Sequence, residues 1–243
     1  MSSEKNYWIE YWNQDNFWSS LNLWELNAQV FLRRAEKFVK FKEHDMVLDI
    51  GSGPGVLAHK LARKVKSVLA VDAAPNFVDI ARMHCKNDPN VDVGLLGNDY
   101  TDLTVFFSSQ KFSLLLCVSV VQYYNNIKEV EELIRSAQKV VLPGGRMLIA
   151  DLNLKRSKMG FVWDAFSSVL QSLREGYTLE LFRMAWNRWF TLSHYHKVYS
   201  SSRLLELNYV EIESLIERME LKAEIIRDSL SIYANRPSLL IHF

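Results

Sequence analysis

The sequence predicts an α/β protein: a doubly wound, mostly parallel sheet of seven strands that ends in an antiparallel strand pair and carries a helical cap. Three observations lead there. Near-continuous apolar runs alternate with amphipathic stretches over residues 46–151, a glycine-rich turn joins the first run to the first amphipathic stretch, and the chain closes on two more strand-like runs. With 243 residues, 49% of them hydrophobic, the chain is long enough to bury one such core in a single domain.

The elements follow in order. Tyr7, Trp8, Tyr11, Trp12, Phe17, Trp18 and Trp24 crowd the N-terminal stretch among few charges, which suits a lid over residues 1–24. From Trp24, the apolar positions Ala28, Phe31, Ala35 and Phe38 alternate steps of four and three, with Arg33, Arg34 and Lys37 on other sides, so a helix is expected. The first strand is "MVLDIG", and a helix through Leu57, Leu61 and Val65 follows it. "SVLAVD" is the second strand, followed by a helix through Phe77, Ile80 and Ala81; "VDVGLLGND" and "FSLLLCVSV" are the third and fourth. A helix carrying Val130, Leu133, Ile134 and Ala137 leads to the fifth, "GGRMLIAD".

The alternation stops after Asp151. Residues 161–190 read as two amphipathic helices, one through Phe166, Val169, Leu170 and Leu173, the other through Phe182, Ala185, Trp186 and Trp189, separated by "REGY". Asn208 and Glu211 make an N-x-x-E capping signal for a helix through Ile212, Leu215, Ile216 and Met219. "KAEIIRDSLSIYANRPSLLIHF" holds two strands joined by an Asn-Arg-Pro turn.

A formal net charge of +1 makes no case for nucleic acid or an anionic membrane, which favours small-molecule partners. Cys85 and Cys117 alone imply no disulfide framework and fit a reducing compartment. "MSSEKN" lacks a signal-peptide core and the run "LLLCVSVV" is too short to span a bilayer, so a cytoplasmic location is expected.

The glycine turn narrows the chemistry. A dinucleotide loop wants G-x-G-x-x-G, whereas Gly51, Gly53 and Gly55 stand at alternate positions, and no Gly-Lys-Ser or Gly-Lys-Thr follows for a nucleoside triphosphate. The run Asp49-Ile50-Gly51-Ser52-Gly53-Pro54-Gly55 resembles the first motif of class I S-adenosylmethionine-dependent methyltransferases of the small-molecule type. Asp72 follows Gly51 at about twenty residues, the spacing of an acid at the end of the second strand. Asn98, Asp99 and Tyr100 in "LLGNDY" match the family's third-strand acid, and "VLPGGRMLIAD" (141–151) its turn and fifth strand. Asp49 or Asp72 alone would read as a solvated strand end, and one glycine turn as only a turn. Their joint order and spacing over residues 47–151 carry the resemblance.

It implies a Rossmann-like methyltransferase fold that takes up S-adenosylmethionine and releases S-adenosylhomocysteine. On the matching positions, Asp49, Gly51, Ser52, Gly53 and Gly55 surround the cofactor's charged amino-acid end; Asp72, with Ala73, takes the ribose hydroxyls; Asn98, Asp99 and Tyr100 face the adenine amino group. Cys117, Val118 and Gln122 lie near the adenine and sulfonium. Phe77 packs beside the adenosine or serves the core, and Tyr11 and Trp18 reach the cofactor from the lid or pack the cap. The organisation implied is an N-terminal lid and helix over 1–40, a cofactor-binding core over 41–151, a cap over 152–202, and a final helix with antiparallel strands over 203–243.

The acceptor is constrained by what is missing. "SVVQYY" stands where base methyltransferases carry an acid or Asn followed by Pro-Pro and an aromatic, so base methylation is disfavoured. Asp151 and Asn153 resemble half of a metal-dependent catechol site, but the fourth-strand carboxylate is absent and no catalytic metal is expected. What is left is oxygen or nitrogen of a metabolite, natural-product intermediate or sugar, with Tyr7, Trp12, Tyr123, Asn153, Tyr195 and Tyr199 lining its site. His194 and His196 are two apart and face one way in an extended segment, with Tyr195 facing the other. One of them acts as a general base or orients the acceptor. The other reading is a catalytically silent cofactor-binding protein of the same fold, and monomer and homodimer both fit.

Overall fold

The apolar runs become strands because both of their faces are covered. In a computed structural model, residues 7–13, 21–96, 100–107, 111–155, 157–179, 182 and 204–243 are described. The strands are β1 (Met46–Ile50), β2 (Ser67–Asp72), β3 (Val91–Leu95), β4 (Phe112–Val118), β5 (Val141–Ala150), β6 (Lys222–Ile226) and β7 (Ser238–His242). The helices are α1 (Tyr7–Trp12), α2 (Leu21–Val39), α3 (Val56–Leu61), α4 (Pro75–His84), α5 (Leu103–Phe106), α6 (Ile127–Val140), α7 (Lys158–Glu175) and α8 (Tyr209–Arg218), with a 3-10 turn at Val121–Tyr123.

Seven strands form one sheet in the order β3-β2-β1-β4-β5-β7-β6. β1 to β5 are parallel, and β7 inserts antiparallel between β5 and β6. Alternate residues of each strand serve opposite cores. Leu48, Ile50, Leu115, Met147 and Ile149 pack with Leu133, Ile134, Ile212 and Leu215 of α6 and α8. Val47, Ala70, Leu114, Leu116 and Leu148 pack with Phe31, Ala35, Leu57 and Leu61 of α2 and α3. The chain runs outward from β1 to β3 on one side, then from β4 to β5 on the other. The strand order therefore reverses between β1 and β4, and their carboxyl ends form the crevice where such sheets bind ligands.

The opposite, amino-terminal edge is fastened by a buried ion pair. Arg146 Nη2 lies 2.7 Å from Asp45 Oδ2, Arg146 Nε donates to the Val39 carbonyl at 3.0 Å, and Ser113 Oγ donates to Asp45 Oδ1 at 2.8 Å. This joins the end of α2 to β4 and β5. The predicted N-terminal signal of α8 is a full capping box, with Glu211 N donating to Asn208 Oδ1 at 2.9 Å and Asn208 N to Glu211 Oε2 at 2.8 Å.

Three expectations change. α3 stops at Leu61, and Val65 is buried in the turn beyond it. The last two strands are not joined by a tight turn: residues 227–237 form a long connection, held by Arg34 Nη1 donating to the Ser229 carbonyl at 3.1 Å and burying Leu230 and Ile232. α7 is amphipathic as predicted, but its polar side faces the body. Glu175 pairs with Arg33 and Arg34, Asn235 Nδ2 donates to Asp164, and Ala234 N donates to Ser168 Oγ at 3.3 Å. Consequently Met159, Val162, Trp163, Phe166, Leu170 and Leu173 are turned outward, Trp163 being 61% exposed. Of the second cap helix, Phe182 is helical and exposed, and Ala185, Trp186 and Trp189 lie outside the described residues.

Candidate functional site

The glycine turn sits at the carboxyl ends of β1 and β2, pinned by Gly51 N and Ser52 N, which both donate to the Val71 carbonyl at 2.7 and 3.0 Å. Gly51 is obligatory twice over. Its φ is +70°, and a Cβ there would lie 2.4 Å from Val120 Cγ2 of the turn after β4. Gly55 has a different task from the ligand contact expected of it: a Cβ would lie 2.9 Å from Ala81 Cβ, so this glycine lets α3 approach α4. The Trp24 ring closes over Gly53.

Asp72 ends β2 as expected. Its Oδ2 accepts from Gly53 N and its Oδ1 from Ala74 N, both at 2.8 Å. Burial raises its pKa, and hydrogen bonds from the Ala74, Gly53 and Ala73 amides oppose that rise. Each oxygen keeps a further lone pair for a ligand donor. Asp49 is buried beside it with Oδ2 lacking a partner among the described residues. Burial first, and the Asp72 charge second, push the Asp49 pKa up to about 7. Ser52 Oγ is likewise buried without a partner.

Buried polar atoms left unsatisfied in this way await a donor-rich ligand. The turn 49–55 contains no basic side chain. Two carboxylates around a close-approach backbone suit a ligand with an ammonium and ribose hydroxyls and repel a phosphate, so the residues present fit S-adenosylmethionine.

Aromatic rings wall the crevice. α1 lies from the start of α4, where Asn76 N donates to Asn13 Oδ1 at 2.9 Å, to the turn after β4. The Trp12 ring is 5.7 Å from Phe77 and 5.4 Å from Tyr123. Trp8 is 5.6 Å from Tyr11 and 5.1 Å from Tyr123. Trp24 meets Phe77 at 5.9 Å.

Four other expected contacts fall differently. Cys117 is packed in the core with Leu115 and Ile149, and burial pushes its thiol far up. Val118 packs against the other core. Tyr100 stacks near Tyr124 at 5.2 Å and donates to Glu129 Oε2 at 3.1 Å, which commits its side chain to α6 rather than to adenine. Gln122 is held by Ser119 and Arg236: its Nε2 donates to the Ser119 carbonyl at 3.1 Å and its Oε1 accepts from Arg236 Nη1 at 2.8 Å. Buried Asn153 offers its carbonyl to Leu207 N at 2.8 Å, and Leu205 N donates to the Gln122 carbonyl at 2.8 Å. These contacts set residues 205–207 beside Asn153 and the turn after β4.

Tyr7 is the first residue of α1. Trp18, Asn98, Asp99, His194, Tyr195, His196 and Tyr199 lie outside the described residues. Among the described residues, no group of three His, Cys, Asp or Glu side chains is gathered to hold a metal.

A sequence model described as a methyltransferase domain matches residues 47–145. The chain is 30% identical over 133 residues to a ubiquinone biosynthesis O-methyltransferase of Bartonella tribocorum, covering 54% of this chain and 50% of that protein. It is 27% identical over 124 residues to a demethylmenaquinone methyltransferase of Tropheryma whipplei, covering 51% and 48%. It thus spans about half the length of the curated relatives it matches. Its fold is similar to that of the N-methyltransferase NodS of Bradyrhizobium japonicum in complex with S-adenosylhomocysteine, with a TM-score of 0.55 at 15% identity over 98% of this chain and 96% of that one. The matched stretch holds β1 to β4, the glycine turn and both strand-end acids, so it is over residues 47–145, the cofactor-binding core, that this chain is similar to the methyltransferase domain family.

Proposed function

We propose that the protein transfers the methyl group of S-adenosylmethionine to an oxygen or nitrogen of a small molecule. The observation that carries this reading is the pair of buried acids, Asp49 and Asp72, flanking a close-approach glycine turn at the point of strand reversal. When bound, the cofactor supplies an electrophilic methyl group on a cationic sulfur. Asp72 takes the ribose hydroxyls, Asp49 and Ser52 the amino-acid end, and Phe77 one face of the adenosine. α1 and the start of α2 cover the crevice and exclude water from it. The relatives named for ubiquinone biosynthesis favour oxygen as the acceptor atom. The cytoplasm suits this chemistry, and among the described residues no helix is long and apolar enough to cross a membrane.

The test is incubation with methyl-deuterated S-adenosylmethionine and a panel of phenols, alcohols and amines, followed by product mass. A trideuteromethyl group on any acceptor supports the reading. Cofactor binding with no transfer to any panel member favours the silent cofactor-binding protein, and absence of S-adenosylhomocysteine binding removes the cofactor site altogether.

One of His194 and His196 sets the acceptor's protonation or orientation. With a hydroxyl acceptor, the alanine variant of a general base should lose about a hundredfold or more in turnover, and the wild-type rate should rise through a pKa near neutrality. Variants at both positions that keep wild-type turnover would place the histidines outside the mechanism.

Cofactor affinity should depend on pH in a defined direction. Asp49, raised to about 7, is mostly protonated below that pH and must ionise to face a ligand ammonium. Affinity for S-adenosylhomocysteine should therefore rise by up to about tenfold per pH unit below 7 and level off above, with proton release on binding. The sign for folding is the reverse: a raised carboxyl pKa favours the folded state at low pH, and that contribution fades as pH climbs from about 4 to 7. Calorimetry in buffers of different ionisation enthalpy reads the released proton, and Asp49→Asn should flatten the profile.

A further inference from the structure

Asp151 is buried at the carboxyl end of β5, only 2% exposed, and neither cofactor nor metal chemistry uses it. We propose that Asp151, held by Ser119, is the group that binds the methyl acceptor, accepting a hydrogen bond from the O–H or N–H of its nucleophilic atom. The proposal deepens the methyltransferase reading and rests on it.

The first observation is backbone geometry. Among the described residues, five non-glycine residues have positive φ. Lys40 and Glu220 follow helices α2 and α8, and Asn235 lies in the 227–237 connection, where such conformations are ordinary. Ser119 (φ 60°) and Asp151 (φ 64°) instead end two neighbouring parallel strands, and Ser119 Oγ donates to Asp151 Oδ2. Paired residues held in a disfavoured conformation mark places where the surrounding fold imposes a geometry.

The second observation is an incomplete hydrogen-bond set. Asp151 Oδ1 is buried with no partner within hydrogen-bond geometry among the described residues. Burial raises the carboxyl's pKa, while the Arg236 charge, the Ser119 and Ser231 hydroxyls and the Arg34 charge oppose the rise. An acceptor oxygen is thus held in place, buried near the Ser231 hydroxyl and without a hydrogen bond of good geometry among the described residues.

Position supplies the third. Asp72, Asp49 and Asp151 end β2, β1 and β5, with β4 between the last two. At ordinary strand spacing, Asp151 stands about 10 Å from Asp49, on the side away from the ribose acid. Residues 119–123 connect everything the acceptor must meet. Val120 supports Gly51, Tyr123 meets Trp8 and Trp12, and Ser119 and Gln122 lead to Asp151 and Arg236. An acceptor bound there lies between the aromatic wall and a fixed hydrogen-bond acceptor. It must carry a donor on the atom to be methylated, which selects hydroxyls and primary or secondary amines over tertiary amines.

Sinefungin tests this without knowledge of the acceptor, because it places an amino group where the cofactor carries its transferable methyl. Calorimetry should find sinefungin binding the wild type at least tenfold more tightly than S-adenosylhomocysteine. Asp151→Asn, whose asparagine tolerates the left-handed backbone, should abolish that preference and leave S-adenosylhomocysteine affinity within twofold. Equal preference in wild type and variant, or equal loss of both ligands in a folded variant, overturns the assignment. Ser119→Gly, which accepts the same φ without strain, provides a second variant should the first fail to fold. It should lower the preference several-fold, and an unchanged preference counts against Asp151. Failure of both ligands to bind the wild type would instead overturn the cofactor reading beneath the proposal.

Discussion

Arg146→Ala is expected to cost about 3–5 kcal/mol of folding stability, a large share of the total of about 5–15 kcal/mol typical of a domain. The guanidinium is nearly enclosed and lies 2.7 Å from a carboxylate that is 1% exposed. Its Nε and Nη2 also bind the Val39 and Lys40 carbonyls at 3.0 and 3.3 Å. Truncation leaves Asp45 buried without a cation and two carbonyls without donors. Burial by itself raises the Asp45 pKa, but the Arg146 side chain, Lys42 N and Ser113 Oγ outweigh it and hold the carboxyl below its ordinary value. That stabilisation is present above the unfolded pKa near 4 and is lost as pH falls through the lower folded value. In the variant the sign changes, because a buried carboxyl without its cation is best protonated. The gap between wild type and variant, measured by urea unfolding, should thus be wide at pH 7 and narrow in acid. A paired change, Asp45→Asn with Arg146→Met, should recover part of the loss. An Arg146→Ala protein as stable as wild type at pH 7 would show that this edge of the sheet is held by packing alone.

Asp72→Ala should weaken S-adenosylhomocysteine binding by about ten- to a hundredfold, the worth of about 1.5–3 kcal/mol for hydrogen bonds to a charged group. Two effects combine. The ribose hydroxyls lose their acceptor, and the Gly53 and Ala74 amides lose the carboxylate that shapes the glycine turn. Asp72→Asn separates them, since its single carbonyl oxygen can take one amide and not both. Removal of the Asp72 charge also relieves Asp49, whose pKa should fall from about 7, and the pH profile of binding should shift to lower pH. Unchanged affinity in a folded Asp72→Ala variant would remove this residue from the site.

What was legible in the sequence is what local pattern encodes. The strand-turn-helix signature 46–60, the spacing from Gly51 to Asp72 and the Asn208–Glu211 cap depend on neighbours within a turn or one βαβ unit, and all three take the expected form. Periodicity identifies α7 as amphipathic but says nothing of which side is inward. That is decided by Arg33 and Arg34, more than 140 residues away, which draw Glu175 toward the body. The Ser119–Asp151 bond joins residues 32 apart and needs two unusual backbone angles that no composition rule announces. The motif resemblance relates Asp151, with Asn153, to half of a metal site and says nothing of the Ser119 hydroxyl that holds its carboxyl. Cys117 lies between Leu116 and Val118, which serve the opposite core, and its own side chain falls among Leu115 and Ile149, so both parities of β4 are committed to packing, which a motif match ignores. Trp24, expected to open the α2 core face, also covers the glycine turn because α2 passes over it.

The outward face of α7 has a colloidal consequence. Six large apolar side chains stand on the surface of a chain whose formal net charge is +1 and whose isoelectric point is near 7.8. Long-range repulsion between molecules is then close to its minimum at neutral to mildly alkaline pH, and short-range attraction between apolar patches is left unopposed. Solubility should pass through a minimum near pH 7.8 and recover toward acid, where each molecule gains charge. Added salt removes what repulsion there is by shortening the screening length, so concentrated stocks should keep best at low ionic strength and a pH well below the isoelectric point.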